Sequence, residues 1–166
     1  MTVRRGIIGV AAATVVVLSL LTTDSGYLPA VAAPQPPLVA SFTVTITSDV
    51  FSCTGTVCKD HQTGTVSYSG QMSGSSVFTG DITFMPPGGF LAFTSTYRED
   101  FTGTVDGCGS GTLVFRGSDV LNPAGQGHSS FTVIGGTGGL AHFRGHGTVN
   151  YNPDFLSGTL TIDGHC

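Results

Sequence analysis

The chain has no tryptophan, one lysine and one glutamate in 166 residues, and charged side chains make up only 10% of it. Without tryptophan, the Cys…Trp…Cys core of an immunoglobulin-like sandwich cannot form. Bases are too few to make a stripe that could neutralise a phosphate backbone, so nucleic acid is not an expected partner. Beyond residue 33, four bases (Lys59, Arg98, Arg116 and Arg144) stand against nine acids, a formal charge of −5. That balance disfavours anionic membrane surfaces as well. No G-x-S-x-G is present to form a nucleophile elbow. His142 and His146 are four apart, but Phe143 follows the first and Gly145 precedes the second, so the H-E-x-x-H metal pattern fails. No metal and no cofactor is expected.

An export signal is present. Arg4 and Arg5 precede an uncharged run from Gly6 to Leu21, and Asp24 is the first acid. The run is shorter than the roughly 18–20 residues needed to cross a bilayer and near the roughly 7–15 of a signal-peptide core. Val31-Ala32-Ala33 supplies small residues for cleavage after Ala33. The expected organisation is therefore a signal peptide over 1–33, a proline-rich linker over 34–39 and one domain over 40–166. The mature protein is expected outside the cell, with no membrane span left after cleavage. No cysteine precedes Cys53, which excludes a lipoprotein anchor.

All four cysteines, Cys53, Cys58, Cys108 and Cys166, lie in the exported part, where an even number reads as a disulfide framework. Sequence alone does not choose among the three pairings. The expected one joins Cys53 to Cys58 across a short loop and uses Cys108–Cys166 to pin the C-terminus to an inter-strand turn.

The rest of the chain alternates β-branched and aromatic residues with Thr, Ser and Gly at period two. Strands are expected over 41–47, 63–68, 77–84, 90–101, 111–117, 129–134, 145–151 and 157–163, with glycine, proline and Asx clusters between them. After the leader, no apolar i, i+3, i+4, i+7 pattern is long enough for a helix. About eight strands joined by short turns suit an all-β, small, closed antiparallel barrel, because closure removes the exposed edges.

Gly136-Thr137-Gly138-Gly139-Leu140-Ala141 matches G-x-G-x-x-[GA], but a dinucleotide site needs a helix next, and Gly145 and Gly147 follow instead. The glycines allow a tight reversal, and Leu140 and Phe143, three apart on one turn, can plug a barrel end. With its flanks, from Phe131 to Thr148, this block resembles the signature of the allene oxide cyclase-like barrels. The blocks Tyr97 to Gly107 and Gly109 to Phe115 resemble that group's bacterial members of unknown function. The resemblance implies a lumen that holds a hydrophobic molecule, with catalysis, if any, coming mainly from orientation and exclusion of water.

Glu99 shares its strand face with Leu91, Phe93, Ser95, Tyr97 and Phe101, which is apolar enough to be the interior. A carboxyl there would act as acid or base beside the Tyr97 hydroxyl. The competing reading pairs Glu99 with Arg98, Arg116 or Arg144 at a strand end. Candidate catalytic residues are thus Glu99 and Tyr97, and candidate ligand-binding residues are Phe93, Tyr97 and Arg144. Arg144 has a second reading, as a strand-start residue paired with a carboxylate. The expected function is binding of a small hydrophobic ligand in the lumen without catalysis. The alternatives are a cyclase or isomerase acting there, and a protein-binding or inhibitor module.

Overall fold

The computed structural model describes residues 35–84, 92–122, 124 and 126–166. The expected signal peptide and the turn at 85–89 lie outside the described residues. Eight antiparallel strands follow one another around a closed barrel: β1 (Leu38–Thr54), β2 (Val57–Gly70), β3 (Met72–Phe84), β4 (Phe93–Val105), β5 (Gly109–Leu121), β6 (Gly127–Gly138), β7 (Arg144–Tyr151) and β8 (Ser157–His165). β8 closes on β1, with Leu38 opposite Ile162 and Thr43 opposite Ser157. Among the described residues no helix is long and apolar enough to cross a membrane.

The strands run longer than the alternation indicated. β1 begins at Leu38, inside the stretch read as linker, because Leu38 and Val39 already pair with β8. β1 and β2 continue as a hairpin to Thr54 and Val57, well past the expected end of the first strand at Thr47 and the expected start of the second at Thr63. Residues 47–54 are exposed, so no buried face imposes a period of two and the sequence carries no strand signal there. Backbone pairing, the Cys53–Cys58 bond and the contact of the Phe51 and Phe84 rings hold them. The register shifts between Ile46 and Ser48, and again opposite Val114 and Phe115, which marks two bulges of the kind that bend a small barrel.

Inward positions alternate between large apolar side chains and glycine, and the two interlock. A Cβ at Gly64 would lie 2.6 Å from the Phe78 ring, one at Gly147 2.5 Å from Phe131, and one at Gly158 3.0 Å from Phe42. Each of these glycines sits directly across from its aromatic partner. The missing side chain leaves room for a ring to lie flat over the neighbouring backbone. Much of the glycine richness is thus a packing requirement.

The two ends of the barrel differ. At one end Met72, Val105, Leu113, Leu140, Phe143 and Ile162 are fully buried. β6 ends at Gly138 (φ 62°), and the chain then makes a tight turn in which Leu140 N donates to Thr137 O (3.1 Å) and Phe143 N to Leu140 O (3.1 Å). The Gly136–Ala141 block is therefore strand–turn–strand, and Leu140 and Phe143 plug the closed end as expected. Both expected disulfides are present: Cys53–Cys58 near the β1–β2 tip, and Cys108–Cys166, which ties the β4–β5 turn to the C-terminus. Two such bonds in one small domain fit a compartment outside the reducing cytoplasm.

Candidate functional site: the barrel lumen

The opposite end is open. From it a cavity of about 340 Å³ runs inward, within the range of small-molecule sites. Its walls are mostly aromatic and aliphatic, from Phe42, Val66, Phe78, Phe115, Phe131 and Leu160 in the depth to Ile46, Phe84, Phe93 and Leu121 nearer the mouth. At the rim the β7–β8 turn carries Phe155 and Leu156, both nearly half exposed. Asp154 holds this turn by accepting from Leu156 N (2.9 Å) and Ser157 N (3.0 Å), which keeps its carboxyl below the usual range. Phe155 takes a left-handed conformation (φ 55°). Its ring meets those of Phe93 and Tyr151, with centroids 6.5 and 6.3 Å away.

Apart from Gln62, whose Nε2 donates to Asp60 Oδ2 at 2.7 Å, two polar groups interrupt the apolar wall. Glu99, on the inward face of β4 and 6% exposed, accepts hydrogen bonds from the Tyr68 hydroxyl of β2 and the Ser76 hydroxyl of β3. Both bonds fall on Oε1. Burial pushes the Glu99 carboxyl up, the two hydroxyls partly offset this, and neighbouring Asp100 adds to the rise. Burial likewise raises the Tyr68 phenol, reinforced by the Glu99 carboxylate. The second group is Asp119 of β5, whose Oδ2 accepts from the Ser95 hydroxyl at 2.5 Å. The phenols of Tyr97 and Tyr151 are raised by burial first and by the Asp119 charge next. At neutral pH these phenols keep their protons and can serve as donors.

The sequence-derived candidates divide accordingly. Glu99, Tyr97 and Phe93 all line the lumen. The carboxyl partners of Glu99 are Tyr68 and Ser76, so the expected Glu99–Tyr97 pairing is replaced by contacts from two other strands. The arginine pairing for Glu99 is also corrected: Arg98 lies on the outer face and binds Asp100 at 2.8 Å. Arg144 is corrected on both counts. It is exposed, it is not among the cavity residues, and its Nη1 donates to the carbonyls of Phe143 (2.7 Å) and Ala141 (3.4 Å). It braces the turn of the closed end, far along the chain path from the mouth, and engages carbonyls in place of a carboxylate.

Tyr68, Ser76, Ser95 and Asp119 were not singled out from the sequence. Asp119 lies two residues beyond the expected end of its strand, but continuing the alternation Phe115, Gly117, Asp119 would have placed it inward. Tyr68 and Ser76 needed the register between strands, which alternation within one strand does not carry.

Gly117 faces Tyr97 across the β4–β5 pair, and a Cβ there would stand 2.2 Å from Tyr97 Cζ and 2.3 Å from its hydroxyl. Gly117→Ala is therefore expected to push the phenol into the cavity at a cost of about 1–3 kcal/mol. Chemical denaturation measures the cost; an unchanged midpoint would mean that the ring has free room elsewhere.

The raised Glu99 carboxyl also has a signed consequence for stability. Folded protein holds the proton at a pH where the unfolded chain has lost it. Stability therefore falls as pH rises from the ordinary glutamate range up to the raised value in the fold. Glu99→Gln keeps a carbonyl acceptor for Tyr68 and Ser76 and removes the ionisation. The variant should lose most of that slope and be the more stable protein above the window. Asp60, buried and also raised, leaves a residual slope of the same sign. Parallel stability–pH profiles for the two proteins would contradict this.

No family model and no curated protein matches the sequence. Among solved structures, the barrel is similar to a protein of unknown function of the DUF3224 family from Shewanella oneidensis MR-1. The TM-score is 0.66 at 14% identity, over 78% of this chain and 95% of that one. At that identity the likeness speaks for the fold alone.

Proposed function

We propose that the protein is an exported carrier or receptor that binds a small, largely apolar molecule inside its barrel. The observation that supports this best is the lumen itself: an aromatic-walled cavity of about 340 Å³, open at one end and plugged at the other. A protein-binding module would have no use for such a space, and filling it with side chains would stabilise the fold. Export fits the leader sequence and the two disulfides, and lumen binding fits the resemblance to allene oxide cyclase-like barrels.

Gly80 supplies the test. It lines the cavity, and a Cβ there meets nothing closer than 3.6 Å, so a larger side chain can grow into the lumen without backbone conflict. The full chain, exported and purified, should bind the neutral dye N-phenyl-1-naphthylamine saturably. Gly80→Leu should weaken that binding at least tenfold while leaving the circular dichroism spectrum unchanged. Native mass spectrometry of the purified protein should further reveal a retained molecule. Equal dye binding by Gly80→Leu would place the dye outside the lumen and end this reading.

A second reading rests on Glu99. A buried carboxyl whose proton affinity is raised by burial, with two hydroxyls on one oxygen, can give and take a proton in a water-poor lumen. That is the equipment of an isomerase or cyclase. It predicts that Glu99→Gln abolishes turnover of a bound substrate while leaving its affinity nearly unchanged.

A further inference from the structure

Basic side chains are confined to the outside of the barrel, whereas acids lie on both sides of its wall. Lys59, Arg98, Arg116 and Arg144 are all exposed, and so are all five histidines. The carboxyls of Glu99 and Asp119 line the lumen, and among the described residues no basic side chain does. An interior built for a fatty acid or another organic anion would need the opposite arrangement.

Within that acidic interior the hydrogen bonds do not close. Asp119 Oδ2 is occupied by Ser95, while Oδ1 is buried without a hydrogen bond of ordinary geometry, the Tyr151 phenol being the other donor beside this carboxyl. Directly across the β5–β6 pair, Ser129 is 4% exposed, and its hydroxyl, which makes no bond of ordinary geometry, has the Tyr97 and Tyr151 phenols beside it. Buried polar atoms are normally fully satisfied, so a carboxyl oxygen served this loosely leaves a place where positive charge would be favoured. The phenol rings of Tyr97 and Tyr151, which feel the Asp119 charge, line the same part of the cavity. Aromatic faces beside a carboxylate attract a cation, and they favour an organic one that is weakly hydrated.

We infer that the ligand of the lumen is a hydrophobic organic cation, an alkyl- or arylammonium, whose charged head sits against Asp119 among the Tyr97 and Tyr151 rings. This rests on the lumen-binding reading and adds to it the ligand's charge and orientation. The apolar body would occupy the Phe-lined wall, and Asp119 Oδ1 would face the positive charge or an N–H.

The test uses a matched set of ligands displacing N-phenyl-1-naphthylamine from the full chain. Benzyltrimethylammonium and neopentylbenzene share one shape and differ in charge; 3-phenylpropionate supplies the anion. The cation should bind at least tenfold more tightly than its neutral isostere, and the anion more weakly than both. Asp119→Asn should remove the preference for the cation and leave neopentylbenzene unaffected. Equal affinities for cation and isostere overturn the inference, as does a preference that survives Asp119→Asn. If that variant does not fold, the cation-to-isostere ratio of the unsubstituted protein decides by itself. In either failure, dye binding that still responds to Gly80→Leu would leave the lumen reading standing, whereas its loss would take both down.

Discussion

Phe143→Ala should destabilise the barrel by about 3–5 kcal/mol, the range for removing a large aromatic side chain from a packed interior. Phe143 is fully buried in one cluster with Met72, Leu140 and Ile162, and its ring comes within 2.9 Å of where a Cβ on Gly164 would stand. The backbone of β8 is thus already drawn close around it and has little freedom to collapse further into the void. Urea denaturation should show a lower midpoint with an unchanged slope, the sign of lost stability without a change in the surface exposed on unfolding. A loss under about 1 kcal/mol would mean that this end is loosely packed and that the plug belongs to Leu140 alone.

The second large effect is expected at the same end. Replacing both Cys108 and Cys166 with serine should lower stability by about 2–4 kcal/mol, because the bond closes a long loop that the unfolded chain would otherwise explore. The two residues are 58 apart in sequence, against 5 for Cys53 and Cys58. Loop-closure entropy grows with the logarithm of loop length, so the matching double serine variant at Cys53 and Cys58 should cost less. Cys108 also packs against the buried cluster, while Cys53 lies exposed near the end of a projecting hairpin. Thermal unfolding of the two double variants, compared with the parent, measures the order. A larger loss from the Cys53–Cys58 pair would show that the hairpin, and not the closed end, limits stability. Phe143→Ala and the Cys108/Cys166 double variant act on one packed unit, so their costs should not simply add.

These two predictions use parts of the molecule that were legible to different degrees. The plug was visible in the sequence because Leu140 and Phe143 are local: three residues apart on one turn, flanked by glycines that permit the reversal. The disulfide pairing was one of three that the cysteines allow, and only the closed barrel brings residue 108 beside residue 166. The lumen was legible in outline for a related reason. Alternation along β4 puts Phe93, Tyr97 and Glu99 on one face, and that face had to be interior because it carries the larger apolar residues. Arg144 was misplaced because alternation orients a side chain toward one side of a strand without saying which end of the barrel it reaches.

By itself, the sequence determined the all-β class, the barrel's approximate strand count, the plugged turn and the inward side of each well-patterned strand. All of these follow from periodicity and turn chemistry within a few residues. The tertiary structure alone decided what meets what across strands: Tyr68 and Ser76 on Glu99, Ser95 on Asp119, Tyr97 over Gly117, Cys108 against Cys166. It also showed that the barrel keeps an open, acid-bearing lumen in place of a filled core. The physical reason is that register and curvature belong to the closed sheet as a whole. Each strand's alternation fixes its two faces, but only closure of β8 onto β1, with bulges in β1 and β6, sets the height at which neighbouring side chains come together.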